Sequence, residues 1–257
     1  MAAAAGAVVG ALVVAIAALA GYWPGEPAPG AGAPPRPSGP SQQEPAPARG
    51  RLLGPAGASS GRADAGEAEI FIAAWRVHLL SSWSVDQVQD RTTDAGAHLR
   101  IDVHEAQRPP DRVRIGLGSV DARRGQTLIA CASASGDSSG RPACRAQATK
   151  TSWQDEVDNQ LAALRGALVG NRAVFTVMVA GPGCFVFRLR GSTGPVPVTL
   201  GRGARYCLDP QTGAVLSSTV QRVGALDSLT TIEHHSPATD TDLALPPGAV
   251  AGPSGAP

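Results

Sequence analysis

The chain has 257 residues, with 22 basic against 21 acidic side chains for a formal net charge of +1. The arginines are spread along the sequence instead of gathered in a block, and Lys150 is the single lysine, so nucleic acid has no electrostatic footprint to bind. The length allows one or two domains, and the organisation below argues for one.

Residues Ala2 to Ala20, AAAAGAVVGALVVAIAALA, are uncharged and small or aliphatic throughout. At 1.5 Å of rise per residue this stretch crosses most of a bilayer core of roughly 30 Å. Tyr22 and Trp23 follow at once, where amphipathic rings favour the membrane interface. The reading is an uncleaved transmembrane anchor over residues 1–23. The competing reading is a cleavable signal peptide, since Ala18-Leu19-Ala20 fits an A-x-A site, although the basic leader of such peptides is missing. Either way the rest of the chain is exported, and the expected localisation is a single-pass cell-membrane protein with its C-terminal domain outside the cytoplasm. Residues 24–66 are Pro, Gly, Ala and Ser with almost no large apolar side chain. Such a stretch cannot offset its chain entropy by burial and reads as a linker. The end of the chain, 248–257, reads as a tail of the same kind, leaving the domain to residues 67–247, ample for one core.

Within the domain, EAEIFIAAWRVHLL (Glu67 to Leu80) predicts a helix, with Ile70, Phe71, Ala74, Trp75, His78 and Leu79 on one stripe. The period then changes to two. Trp83 to Thr92 predicts a strand; in HLRIDVHE, Leu99, Ile101 and Val103 alternate with Arg100, Asp102 and His104; in RVRIGLG, Val113, Ile115 and Leu117 alternate with arginines. Pro109-Pro110 ends the pairing between these two, and QTLIACAS predicts the strand that follows. A second helix starts at Thr151 or Ser152, both capping residues, with Asp155 and Glu156 in its first turn. Trp153, Val157, Leu161, Leu164 and Leu168 form its stripe and Gly170 its stop. Five more strands are expected, in AVFTVMVAG, CFVFRLRG, ARYCLDP, AVLSSTVQRV and SLTTIEHHS, with a tight turn at Asp209-Pro210-Gln211-Thr212-Gly213.

Cys131, Cys144, Cys184 and Cys207 are even in number and lie in an exported domain, which predicts two disulfides. Three connectivities are open; neighbours are preferred, Cys131 with Cys144 and Cys184 with Cys207. Zinc would want closer C-x-x-C pairs. The stretch SASGDSSGRPAC resembles the nucleophile box of trypsin-like proteases, but Ser138 has too little chain before it for a first barrel, no suitably placed histidine, and the composition of an exposed loop. Glu233-His234-His235 with Asp240 and Asp242 is the other tempting cluster, yet adjacent histidines in a strand face opposite sides. No enzyme, metal or cofactor is expected.

The order of elements, the DPQTG hairpin and the closing TDTDLALPPGAV resemble the LolA/LolB-type lipoprotein carrier superfamily, whose members often end on an Asp, a hydrophobic residue, Pro-Pro-Gly and a valine. Here those are Asp242, Leu243, Pro246, Pro247, Gly248 and Val250. The resemblance implies an α+β fold: a curved antiparallel β-sheet, or half-barrel, wrapped around the two amphipathic helices with an apolar cavity between. It implies carriage of lipids or lipoprotein acyl chains, or sensing of the envelope state beside a membrane protein partner. Trp75, Leu99, Ile101, Val103, Val113, Ile115, Leu117 and Trp153 are the candidates to line the cavity. The alternative is that these residues pack against one another as core, in an interaction or regulatory protein that binds a membrane partner without a lipid ligand.

Overall fold

Alternation of apolar and polar residues recurs in the chain after Leu80. In the computed structural model, which describes residues 65–133, 142–190 and 200–246, it becomes eleven strands. The first six are β1 (Trp83–Thr93), β2 (His98–Arg108), β3 (Asp111–Gly116), β4 (Ser119–Arg124), β5 (Thr127–Ser133) and β6 (Pro142–Ala148). The others are β7 (Phe175–Val179), β8 (Cys184–Leu189), β9 (Gly203–Leu208), β10 (Val215–Arg222) and β11 (Ala225–His235). Helix α1 (Ala65–Leu80) precedes the strands and α2 (Trp153–Leu168) separates β6 from β7. The described residues all belong to one unit, Gly61–Pro257.

The strands form one open antiparallel sheet in the order β6-β5-β4-β3-β2-β1-β11-β10-β9-β8-β7. Two meanders, β1–β6 and β7–β11, are thus joined where β1 pairs with β11. The α+β class and the antiparallel sheet agree with the sequence reading. In a flat sheet β4 and β7 would be eight spacings apart, about 38 Å. Helix α2 reaches both: Glu156 pairs with Arg123 of β4, and the Ala167 carbonyl accepts from the Val174 N–H beside β7. The rise between Glu156 and Ala167 is only about 17 Å, so the sheet bends toward the helices.

Both helices lie on one face, here called inner. Phe71 of α1 meets Phe185 and Phe187 edge-on, at centroid distances of 5.1 and 4.7 Å, and Val157, Leu161 and Leu168 of α2 join the same core. The end of α1 is fastened to β1 and β2 through its free carbonyls, the groups a helix terminus must satisfy: the His78 carbonyl accepts from Trp83 Nε1 (3.0 Å) and Gln107 Nε2 (2.8 Å). Helix α2 begins with a capping box, Ser152 Oγ accepting from the Asp155 N–H while Asp155 receives the Ser152 N–H, as the sequence anticipates. A second core lies on the outer face, where Ala106, Val113, Val120, Ala122 and Ile129 are covered by Ala238 and Leu243 of the strap after β11.

Both neighbour disulfides are present, Cys131–Cys144 and Cys184–Cys207, each joining residues in direct register with Cα atoms 4.0 Å apart. The first closes the loop containing Ser138, which lies outside the described residues. So do the apolar segment Ala2–Ala20, nearly all of the linker, and Pro247, Gly248 and Val250. Among the described residues no helix is long and apolar enough to cross a membrane. Two strands, β4 and β6, were not expected. On α1 the buried side chains include Ile72, whereas Ile70 is 55% exposed, a shift of the predicted stripe around the helix.

Candidate functional site

The two helices face each other and are joined by a bidentate pair between Glu69 near the start of α1 and Arg165 near the end of α2, with both bonds at 3.0 Å. Between them opens a cleft of about 360 Å³, at the small end of the roughly 300–1,000 Å³ usual for small-molecule sites. Its walls are Glu69, Ile72, Ala73 and Arg76 from α1 and Asp158, Leu161, Ala162 and Arg165 from α2. Each set repeats at spacings of three, one and three, so each is one helical face. Buried Ile72 and Leu161 make an apolar floor. Ala73 and Ala162 leave room above it because their side chains are single methyls. Four charged residues form the rim. Arg165 is engaged by Glu69, and Asp158 accepts from Gln154 Nε2 at 3.0 Å; Arg76 is exposed and has no ion pair among the described residues.

Beyond the cleft the inner face carries a buried polar ladder. Glu105 accepts from Arg112, and from Arg114 at 2.9 Å; Arg114 also donates to Gln89 Oε1 at 3.2 Å. Burial alone would push the Glu105 carboxyl up, but the Arg112 and Arg114 guanidiniums outweigh it and hold its pKa down at about 2. Further along, Asp227 is held by Arg91 at 2.6 Å and by Arg222. Arg123 pairs with Glu156, donates to the Thr151 carbonyl at 2.9 Å and lies over the Trp153 ring at 5.4 Å. These pairs neutralise one another's charges on the inner face, while Gln87 Oε1, Gln107 Oε1 and Trp153 Nε1 are buried there without a hydrogen-bond partner among the described residues.

The eight residues proposed from sequence do not converge. Ile101 and Val103 are buried on the inner face, with Leu99 on the same side but 39% exposed. Val113 and Ile115 stand on the outer face, beneath the strap. The reason is register: Val103 pairs with Gly116 and Ala106 with Val113, so odd positions of β2 share a face with even positions of β3. Leu117 is a turn residue at φ 40°, followed by Gly118 at φ 69°, and is 65% exposed. Trp75 packs on the inner core against Tyr206 at 6.1 Å, and Trp153 caps that core near Arg123. None of the eight lines the cleft. Over β8 and β9 the space between sheet and helix holds the Phe71–Phe185–Phe187 contacts. The cleft's own signal in the sequence was the matched spacing of small and charged residues on two helices, visible only once the helices are known to face each other.

No protein-family model matches the sequence, and no curated protein matches it. Among solved structures, the chain is similar to a LolA superfamily protein from Nitrosomonas europaea, at 8% identity and a TM-score of 0.30, over 69% of this chain and 97% of that one. It is also similar to a domain described as belonging to an outer membrane lipoprotein-sorting protein from Vibrio parahaemolyticus, at 10% identity and a TM-score of 0.25, over 68% of this chain and 97% of the other.

Proposed function

We propose that this chain is a membrane-tethered, extracytoplasmic binding protein for a single-chain amphiphile, such as a lipid acyl chain or the acyl chain of a lipoprotein, held in the α1–α2 cleft. The observation that carries the reading is the cleft's construction, an apolar floor of Ile72 and Leu161 opened by two alanines beside Arg76, which has no ion pair among the described residues. Each methylene moved from water onto that floor gains about 0.8 kcal/mol, so the chain supplies the affinity. Arg76 offers a countercharge for an anionic head group, with the fork geometry that suits carboxylate or phosphate. The two disulfides favour an oxidising compartment, in keeping with export by the apolar segment Ala2–Ala20. The site calls for no catalytic group.

The test is titration of the full chain with a fluorescent long-chain fatty acid, in parallel with Ala162→Trp, which places an indole over the floor from an exposed position. Saturable uptake by the parent chain, lost in Ala162→Trp at an unchanged melting temperature, is the expected outcome. Equal uptake by both, or none by the parent, overturns the reading.

A further inference from the structure

One of the fastenings that hold the strap after β11 across the outer face depends on a proton. His104 of β2 places Nδ1 at 2.7 Å from Asp86 Oδ1 of β1 and Nε2 at 2.8 Å from the backbone carbonyl of Asp242 in the strap. A carboxylate and a carbonyl can only accept, and a neutral imidazole has a single N–H to give. Only the imidazolium makes both bonds together. Asp242 is itself gathered in: its Oδ2 accepts from the Thr239 N–H and hydroxyl, each at 2.6 Å, and lies 2.9 Å from His235 Nε2 of β11. On β3, the other neighbour of β2, the residue opposite His104 is uncharged Ile115, and on β11 the residue opposite Asp86 is Glu233. Other fastenings do not use that proton: Arg108 pairs with Asp240 at 2.7 Å, Arg124 donates to the Leu243 carbonyl, and Ser82 Oγ accepts from the Ala238 N–H at 3.0 Å.

We propose that residues 236–245 form a proton-dependent latch, docked while His104 is an imidazolium and loosened as that proton leaves. Its release would open the apolar outer core around Val113, Val120 and Ile129, on which Ala238 and Leu243 sit. Burial lowers the proton affinity of His104, but its bonds to Asp86 and Asp242 prevail and raise it above the ordinary value. Because the docked state holds the proton more tightly, docking strength is complete below the ordinary histidine pKa of about 6.5 and declines as pH rises through the docked value. Each unit of separation between those two values weakens docking about tenfold.

Hydrogen exchange of the full chain reads the latch directly, because the Leu243 and Ala244 amides are bonded within the strap to Thr239 and Thr241. Between about pH 5.5 and about pH 8.5, spanning the histidine range, their protection should fall severalfold to tenfold beyond the intrinsic pH dependence of exchange. In His104→Gln protection should be low and insensitive to pH, while His235→Gln keeps the pH response. Constant protection in the parent chain, or a response that survives in His104→Gln and vanishes in His235→Gln, overturns the proposal.

Discussion

His78 illustrates how far a single side chain can be fixed by its surroundings. It is buried against Trp75 and Trp83, at centroid distances of 4.5 and 5.0 Å, and its Nδ1 lies 2.9 Å from the Gly213 carbonyl, which can only accept and so requires the proton on Nδ1. Gly213 allows this approach, for at φ +70° a Cβ there would lie 2.3 Å from the His78 backbone nitrogen. Burial drives the His78 pKa down to about 4, outweighing the pull of Glu105. A lowered histidine stabilises the fold fully above its unfolded value of about 6.5 and loses that contribution as pH falls toward the folded value. Stability should therefore drop by roughly 3 kcal/mol between about pH 6.5 and about pH 4. Urea unfolding at several pH values checks this: His78→Gln, less stable throughout, should show a flatter profile over that interval, and a slope equal to the parent's would refute the assignment.

At the scale of elements, legibility followed the side of the sheet that faces an apolar layer. Strands β2 and β3 alternate cleanly, β5 and β7 to β9 are short apolar runs, β1, β10 and β11 are rich in β-branched residues, and α2 has a clear stripe, so their positions were readable. Strand β4 was not, because SVDARR has only Val120 and Ala122 as apolar marks and its other face carries Asp121 and Arg123 toward the buried ladder. Strand β6, PACRAQA, has too few large side chains to register as a pattern. Helix α1 is apolar on nearly every side, so its period could not say whether Ile70 or Ile72 turns inward. The cleft was illegible for a different reason: it exists only through the mutual placement of two helices far apart in sequence. The inner ladder, unforeseen as well, carries its own prediction. Replacing Glu105 by Gln leaves the Arg112 and Arg114 guanidiniums without their buried countercharge, which should cost about 3–5 kcal/mol. A loss under 1 kcal/mol in denaturant unfolding would mean that water, not Glu105, neutralises that layer.

For the molecule as a whole, the two meanders each carry one disulfide, closing sequence separations of 13 and 23 residues. On chain-entropy grounds each contributes about 3 kcal/mol. The two disulfides lie in different meanders, β5–β6 and β8–β9, so the Cys131→Ala/Cys144→Ala and Cys184→Ala/Cys207→Ala changes should add in the quadruple variant to within about 0.5 kcal/mol. A shortfall or excess well beyond that in equilibrium unfolding would show that the halves meeting at β1 and β11 fold as one cooperative block with shared energetics. An open sheet also leaves two rims where a neighbouring polypeptide can add itself as a further strand. Here one rim starts with Pro142, which has no N–H to donate, and bears exposed Arg145; at the other, Glu67 accepts from the Val179 N–H at 3.4 Å while the helices lean on β7. At high concentration, copies of the molecule meet at rims interrupted by a proline, a charge and a carboxylate cap, features that disfavour strand-by-strand polymerisation.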